Sequence, residues 1–276
     1  MICFPNGKIN LGLRITEKRS DGYHNLDTVF VPLAIHDALE FQEAKETTFF
    51  LSGDPVPGNP NDNFVLKALN LMREKFPGIP PQTIHLLKHI PNGAGMGGGS
   101  SDASFMIRAL NETYSLNMHA EDMKKLALQI GSDCPFFIEN KPCFGQSRGE
   151  VLTPLDLDLR EWEILVIKPG IHIPTSWAFQ QIQAKIPEQS CRDIVSQPVS
   201  SWKNLLINNF EAPIFKQYPV IETLKDLLYQ NGAVYASMSG SGSSLYGFFL
   251  SDRIKQAKIA ILDAAPDVEI FTTRAL

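Results

Sequence analysis

Glycines stand at positions 93, 95, 97, 98 and 99, and Ser100-Ser101-Asp102 follows at once. No other stretch restricts the fold as much. Each glycine raises the entropy cost of ordering the chain, so packing does not explain such a cluster. Glycines let backbone N–H groups converge and let another molecule approach the main chain closely. A helix is expected to begin within the run, because Ala103, Met106, Ile107 and Leu110 share one helical face. The Ser and Asp just before them are good helix-start residues. Upstream, residues 83–90 (TIHLLKHI) read as a strand. Amides gathered at a helix start, with the positive end of the helix dipole, bind phosphate. Ser100 and Ser101 add hydroxyls for the phosphate or for a magnesium ion. The competing reading is a flexible surface loop, but such a loop does not run straight into a well-patterned helix.

Two familiar phosphate loops fit poorly. A Walker A motif needs Lys-Ser or Lys-Thr after its last glycine, and here Gly99 is followed by Ser100-Ser101. The letters GxGxxG are present from Gly93 to Gly98, but a glycine run satisfies them cheaply. No strand ending in an acidic residue follows at ~20 residues, where a ribose would be recognised. Glu112 lies near that distance, at the end of the expected helix. A nicotinamide-dependent dehydrogenase would rest on those letters alone.

Composition narrows the function classes. The chain has 276 residues, enough for one large or two ordinary domains at ~100–200 residues each. Its formal net charge is −5 and it holds no run of basic residues, which argues against a dedicated nucleic-acid or membrane-surface binder. No apolar stretch approaches the ~18–20 residues that span a bilayer. The first ten residues carry no secretory pattern. Four cysteines without a CxxC pair argue against a disulfide framework and for a reducing cytoplasm. His85 and His89 are four apart but lie in an expected strand without other metal ligands, so ordinary strand residues are expected there.

Further along the chain, residues 8–15, 26–33 and 38–43 read as strands. Arg19 to Gly22 reads as a turn, Gly53 to Asn63 as a loop, and Asn63 to Lys75 as an amphipathic helix. A helix is expected over 119–130. In the second half, 163–168, 233–238, 244–250 and 268–273 read as strands. Residues 174–186, 202–210, 220–230 and 253–263 read as helices. No regular βαβ rhythm appears, which favours an α+β fold. A composition shift near 150 suggests domains at 1–152 and 153–276.

Three other segments carry chemistry. Lys8 and Asn10 alternate on the first strand, opposite Ile9, Leu11, Leu13 and Ile15. A lysine there can offset charge on a transferring phosphoryl group or lower a neighbouring pKa, or it can be a solvated strand residue. In Gly131-Ser132-Asp133-Cys134-Pro135-Phe136-Phe137, one carboxylate stands between a helix end and an apolar strand start. It can take a proton from a substrate hydroxyl or simply cap a turn. Ser239-Gly240-Ser241-Gly242-Ser243 joins two strands, as a hairpin or as a close backbone contact.

Together these segments resemble the GHMP kinase superfamily along nearly the whole chain. The resemblance is narrowest to the branch that phosphorylates 4-diphosphocytidyl-2-C-methyl-D-erythritol in non-mevalonate isoprenoid precursor synthesis. It is carried by Gly7-Lys8-Ile9-Asn10-Leu11, Arg19 to His24, Ile90 to Ala103, Gly131 to Phe137, Gly149 to Pro154, Ile173-Pro174-Thr175 and Met238 to Gly242. It implies a two-domain GHMP kinase fold, with an N-terminal domain like the second domain of ribosomal protein S5 and a C-terminal α+β domain. It implies ATP and Mg²⁺, and transfer of the γ-phosphoryl group to the 2-hydroxyl of the erythritol part. Lys8 and Asp133 match the catalytic positions. Pro91, Asn92, Gly93, Ala94, Gly95, Met96, Gly97, Gly98, Gly99, Ser100 and Ser101 would wrap the triphosphate, with Asn63 and Lys88 near adenine. Tyr23 and Phe179 would sandwich cytosine, His24 would bond its edge, and Asn10, Asp133 and Thr175 would face the acceptor. Gly240 and Gly242 would lie structurally near the phosphates.

The family usually places Ala before the catalytic lysine, where this chain has Gly7. Asp102 is expected at the helix N-terminus rather than on a metal. The implied partner is a small cytidine-diphosphate-linked sugar alcohol, with no nucleic acid or membrane, and a monomer or weak homodimer is expected. The alternatives are a kinase of the same fold acting on homoserine or mevalonate, and a sensor that binds without turnover.

Overall fold

The computed structural model describes residues 1–276. Its strands are β1 (Ile2–Cys3), β2 (Asn6–Lys18), β3 (His24–His36), β4 (Ala38–Glu43), β5 (Thr48–Gly53), β6 (Gln82–Lys88), β7 (Cys143–Ser147), β8 (Val151–Pro154), β9 (Glu163–Lys168), β10 (Tyr235–Met238), β11 (Leu245–Phe249) and β12 (Glu269–Thr273). Its helices are α1 (Phe64–Lys75), α2 (Gly98–Thr113), α3 (Ala120–Leu128), α4 (Cys134–Glu139), α5 (Thr175–Gln180), α6 (Cys191–Val195), α7 (Glu211–Gln217), α8 (Pro219–Gln230) and α9 (Ile254–Ala264). Sheets of mainly antiparallel strands, with α1 joining the one parallel pair, β5 and β6, make this an α+β fold. Two compact units compose it. One is Met1–Gly7, Ile35–Asn92 and Gly97–Asn140, and the other is Lys8–Ala34, Gly93–Met96 and Lys141–Leu276.

The first unit holds the sheet β1-β4-β6-β5, in which only the β5–β6 pair is parallel. Ile84 and Leu86 of β6 face the core with Leu39 and Phe41 of β4. Val65, Leu69 and Met72 of α1 and Met106, Ile107 and Leu110 of α2 pack in the same cluster. Strand period two then matters for chemistry: Lys88 shares the inward face of Ile84 and Leu86, so its side chain enters the core. Asn63 starts α1, its Oδ1 accepting from the Val65 N–H at 2.9 Å.

The second unit holds two sheets, β2-β3-β7-β8 and β10-β11-β9-β12. Leu165 and Ile167 of β9 pack with Leu224 and Leu228 of α8 and Ile261 of α9. The turn from Ser239 to Ser244 connects an antiparallel hairpin, β10–β11.

Four local expectations change. The segment after Asp133 is helix α4, not a strand; Pro135 sits in its first turn, where a missing N–H costs nothing. Helix α2 is capped by Gly97 at φ 69°, so Ser100 and Asp102 lie inside the helix rather than before it. Helix α5 ends at Gln180 instead of 186. The chain beyond it bonds to β2, with the Lys185 N–H donating to the Ile15 carbonyl at 3.0 Å, and Ile186 precedes a proline. Residues 202–210 are not one helix. A 3₁₀ turn, Val199–Asn204, leads into a stretch that pairs with β2 through Leu13 N–H to Ile207 O at 3.1 Å and Asn209 N–H to Leu13 O at 2.7 Å. All four cysteines are free thiols, and no helix is long and apolar enough to cross a membrane.

Candidate active site

Strand β2 is buried on both faces, so Lys8 and Asn10 are as enclosed as the aliphatic residues between them. Lys8 is 3% exposed, which removes the solvated-lysine reading. Its Nζ donates to Asn10 Oδ1 at 2.6 Å and lies 5.3 Å from the Phe30 ring centre. The Asn10 amide donates in turn to Thr28 Oγ1 at 3.0 Å, and Thr28 donates to the Gly12 carbonyl at 2.5 Å. This chain of bonds fixes which way the Asn10 amide points: oxygen to the ammonium, nitrogen to the hydroxyl. Gly7 lies inside β2, so the strand is already formed before Lys8.

Loop residues Gly93–Met96 belong to the same unit and are bolted to this strand and to the hairpin turn. The Lys8 N–H donates to the Met96 carbonyl at 2.9 Å, and the Ser244 N–H to the Ala94 carbonyl at 3.2 Å. Ser239 Oγ donates to the Gly95 carbonyl at 2.8 Å and accepts from the Asn10 N–H at 3.3 Å. Gly95 has φ +78°, and a Cβ there would meet the Ser239 carbonyl oxygen at 2.0 Å. Gly240, at φ +58°, lies against Gly95 Cα and Asn10 Oδ1. Asn208 holds the turn from the far side, donating to the Met238 and Gly240 carbonyls at 2.8 Å each. Gly242 sits over the Met238 sulfur, and Thr175 Oγ1 lies 3.1 Å from Ser241 Oγ. The hairpin is therefore also the close backbone contact. Gly93 is exposed beside His172.

An aromatic group occupies another part of this unit. Tyr23 follows the turn at Arg19–Gly22 and is 53% exposed, with the Arg148 guanidinium 4.7 Å from its ring centre. His24 stacks on Phe179 at 5.1 Å and 23°, and Phe179 meets Phe210 edge-on. Burial, helped by the Lys18 ammonium, lowers the His24 pKa.

The first unit contributes the rest of the loop. Gly97–Ser101 turn into α2, so the free amides of its first turn face the loop. Pro91 is buried, and the Asn92 amide donates to the Pro55 carbonyl at 3.2 Å. Gly98 rests on Ile90 and on the Lys88 ammonium, and Gly99 approaches Phe64. Lys88 is enclosed, held by Asp37 and by Asp102 Oδ2 at 2.7 Å. Burial alone would lower its pKa, but Asp102 and Asp37 together raise it. Asp102 is thus a buried partner of Lys88, and burial raises its carboxyl pKa against the pull of that ammonium. Ser101 Oγ and Asp102 Oδ1 are buried without a hydrogen-bond partner.

Half-buried Asp133 occupies the N-cap of α4 and makes no side-chain capping bond to it. Its helix is anchored to α2 by Ser104 Oγ, which donates to the Cys134 carbonyl at 2.7 Å. The turn from Gly131 to Cys134 lies against Ser100, so two segments singled out separately in the sequence are neighbours here. Burial pushes the Cys134 thiol up to about 12, so it is not a nucleophile at neutral pH. Asp37, Thr28, Asn208 and Tyr246, whose OH donates to the Asn10 carbonyl at 2.7 Å, escape a reading of sequence alone. None lies in a motif. Strand alternation puts Lys88 on the inward face of β6, where an ammonium needs a counter-charge, but it does not say which carboxylate supplies it.

The chain that carries this glycine-rich loop, the buried lysine on β2 and the hairpin bonded to Ala94 and Gly95 matches known proteins along its length. The GHMP kinases N terminal domain model matches residues 63–141, and the GHMP kinases C terminal model matches residues 196–265. A 4-diphosphocytidyl-2-C-methyl-D-erythritol kinase of Bacteroides thetaiotaomicron is 51% identical over 253 residues, covering 90% of this chain and 92% of its own. The chain belongs to the GHMP kinase family. Another kinase of that name, from Porphyromonas gingivalis, is 45% identical over 267 residues, covering 95% of this chain and 97% of its own. A solved 4-(cytidine 5'-diphospho)-2C-methyl-D-erythritol kinase superposes with a TM-score of 0.84 at 28% identity over the full length of both chains. The Methanococcus jannaschii mevalonate kinase, at 16% identity and TM-score 0.75 over 100% of this chain and 98% of its own, shares the fold. This family member is a small-molecule kinase, as the resemblance implied, and the dehydrogenase reading falls.

Proposed function

We propose that the chain transfers the γ-phosphoryl group of ATP to the 2-hydroxyl of 4-diphosphocytidyl-2-C-methyl-D-erythritol. The carrying observation is the set of relatives of that name at 45–51% identity over at least nine-tenths of the chain. The exposed Tyr23 and the His24–Phe179 stack support a planar base as part of the acceptor. Homoserine or mevalonate would give those rings nothing to hold.

In this reading, amides of Pro91–Ser101 and the α2 dipole hold the triphosphate. Asn63 lies at the adenine end, and Lys88, enclosed by Asp37 and Asp102 beneath Gly98, supports the loop from below. Asp133 accepts the proton of the 2-hydroxyl as its oxygen bonds to the γ-phosphorus and the bond to the ADP oxygen breaks. Lys8 offsets charge developing on the transferring group, and Asn10, oriented by Thr28, holds the acceptor. Tyr23 and Phe179 take the cytosine faces, His24 its edge, and Thr175 the remainder of the acceptor; Gly240 and Gly242 keep the hairpin close to the loop. Magnesium enters as the ATP complex. Free thiols fit a reducing cytoplasm.

A coupled ADP-release assay offering all three acceptors tests the substrate. Turnover of homoserine or mevalonate, with none of the nucleotide-linked alcohol, would reject it. Asp133→Asn is expected to keep ATP affinity and to lose ~10²–10⁴-fold in kcat. Near-parental kcat would remove Asp133 from proton transfer.

A further inference from the structure

We propose that Asp37 is a positioning residue for ATP, acting through a buried Asp37–Lys88–Asp102 cluster that ties together both flanks of the glycine-rich loop. The proposal rests on the reading that this loop holds ATP. Asp37 immediately precedes β4 and lies outside every recognisable motif. One oxygen, Oδ1, accepts from the main-chain N–H groups of His89 at 2.5 Å and Ile90 at 2.8 Å. Those are the residues that lead from β6 into the loop. The other, Oδ2, accepts from the Lys88 ammonium, which also donates to Asp102 Oδ2 at 2.7 Å, on α2, where the loop ends. The three side chains are 0%, 1% and 3% exposed for Asp37, Lys88 and Asp102. A Cβ on Gly98 would stand 3.0 Å from the Ile90 side chain and 3.2 Å from Lys88 Nζ, so the first residue of α2 sits directly on this cluster.

Net stability is a poor reason for such an arrangement. Two carboxylates and one ammonium lose their hydration, and a buried ionic cluster of this kind is commonly no more stabilising than well-packed aliphatic residues. What it supplies is direction. Hydrogen bonds accepted by one carboxylate fix the loop's entry amides, and the ammonium fixes the helix start relative to them. A loop held in its binding shape beforehand avoids an ordering cost when the nucleotide arrives. The two carboxylates are unequal. Asp37 carries all the main-chain bonds, whereas Asp102 meets only the Lys88 ammonium and the Asp37 carboxyl and keeps an unbonded Oδ1.

Steady-state kinetics and amide hydrogen exchange on the full chain test this. Asp37→Asn is expected to raise the KM for ATP about tenfold, leaving kcat and the acceptor KM within about threefold. Exchange over 89–101 should quicken in the same variant. Asp102→Asn keeps the Asp37 bonds and is expected to raise the ATP KM only two- to threefold, roughly, with faster exchange confined to 97–101. Unchanged ATP KM and exchange in folded Asp37→Asn would overturn the proposal, as would kcat and both KM values moving together. Should Asp37→Asn not fold, unchanged exchange at 97–101 in Asp102→Asn overturns it. Calorimetry of the parent with ATP separates the two claims: absent binding rejects the ATP reading, while the exchange comparison still judges the brace.

Discussion

His24 shows how a single side chain ties its surroundings to a measurable pH response. Burial against Phe179, and secondarily the Lys18 ammonium, disfavour its charged form and move its pKa below the ordinary value of about 6.5. A lowered pKa means that the neutral ring, with one donor and one acceptor, persists further into acid. In the proposed reading that ring bonds the cytosine edge. The acceptor KM at saturating ATP is therefore expected to stay flat from pH 8 to about 6.5 and to climb only below that. Lys18→Ala removes one cause of the lowering and should move the climb to higher pH, and His24→Gln should abolish it. A parental climb beginning above pH 6.5 would contradict the assignment. The sequence marked His24 through its motif but not its stacking on Phe179, since the two are far apart along the chain. Lys8 was marked by its place on a strand. Its burial was not, because alternation reveals two faces and does not say that both are covered.

At the scale of elements, the lock between the glycine-rich loop and the β10–β11 hairpin explains why both segments are rich in glycine. Gly95 needs a positive φ and has no room for a side chain, because the Ser239 carbonyl fills the space. Gly95→Ala is expected to cost at least ~1–2 kcal/mol from conformation alone, with the displaced hairpin adding to it. Thermal melting should show a lower midpoint, and calorimetry an ATP affinity at least about tenfold weaker. Ser239→Ala removes two hydrogen bonds without a clash and should cost about 1–2 kcal/mol. Parental melting and affinity in Gly95→Ala would mean that the loop does not depend on the lock. Elements with a clear period were legible: α1, α2, α8, β6 and β9 lie close to where their apolar spacing put them. Short ones were not. The six residues of α4 carry Pro, Phe, Phe and Ile, which suit a strand as well as a buried turn of helix, and Pro135 decides for the helix only once its position is known. Asp37 reads as a turn residue between two strands, and its partners lie 51 to 53 residues away along the chain.

Across the whole molecule, what local patterns could not disclose is how distant stretches are gathered into each unit. The second unit takes Lys8–Ala34 together with Lys141–Leu276. Its last residues show how those stretches are joined. Strand β12 ends at Thr273 against β9, and the chain then crosses to β3. There the Ala34 N–H donates to the Arg274 carbonyl at 2.9 Å, and the Leu276 N–H donates to the Pro32 carbonyl at 3.0 Å. Leu33, fully buried, pairs with Ala275 between them. Three terminal residues thus cover the main-chain groups of β3 at its far end and fasten one sheet of the unit to the other. Removing Arg274–Leu276 deletes both bonds, at about 0.5–1.5 kcal/mol each, and uncovers a strand edge. At about 2–4 °C per kcal/mol for a chain of this size, calorimetry should find a midpoint lower by roughly 2–12 °C. None of the removed residues belongs to the proposed site, so kcat and both KM values at 25 °C should match the parent. A midpoint within 1 °C of the parent would mean that the tail does not hold the sheets. A collapse of kcat in a folded truncation would mean instead that the fastening sets the geometry of the β2–β3 residues, Asn10 and Thr28 among them.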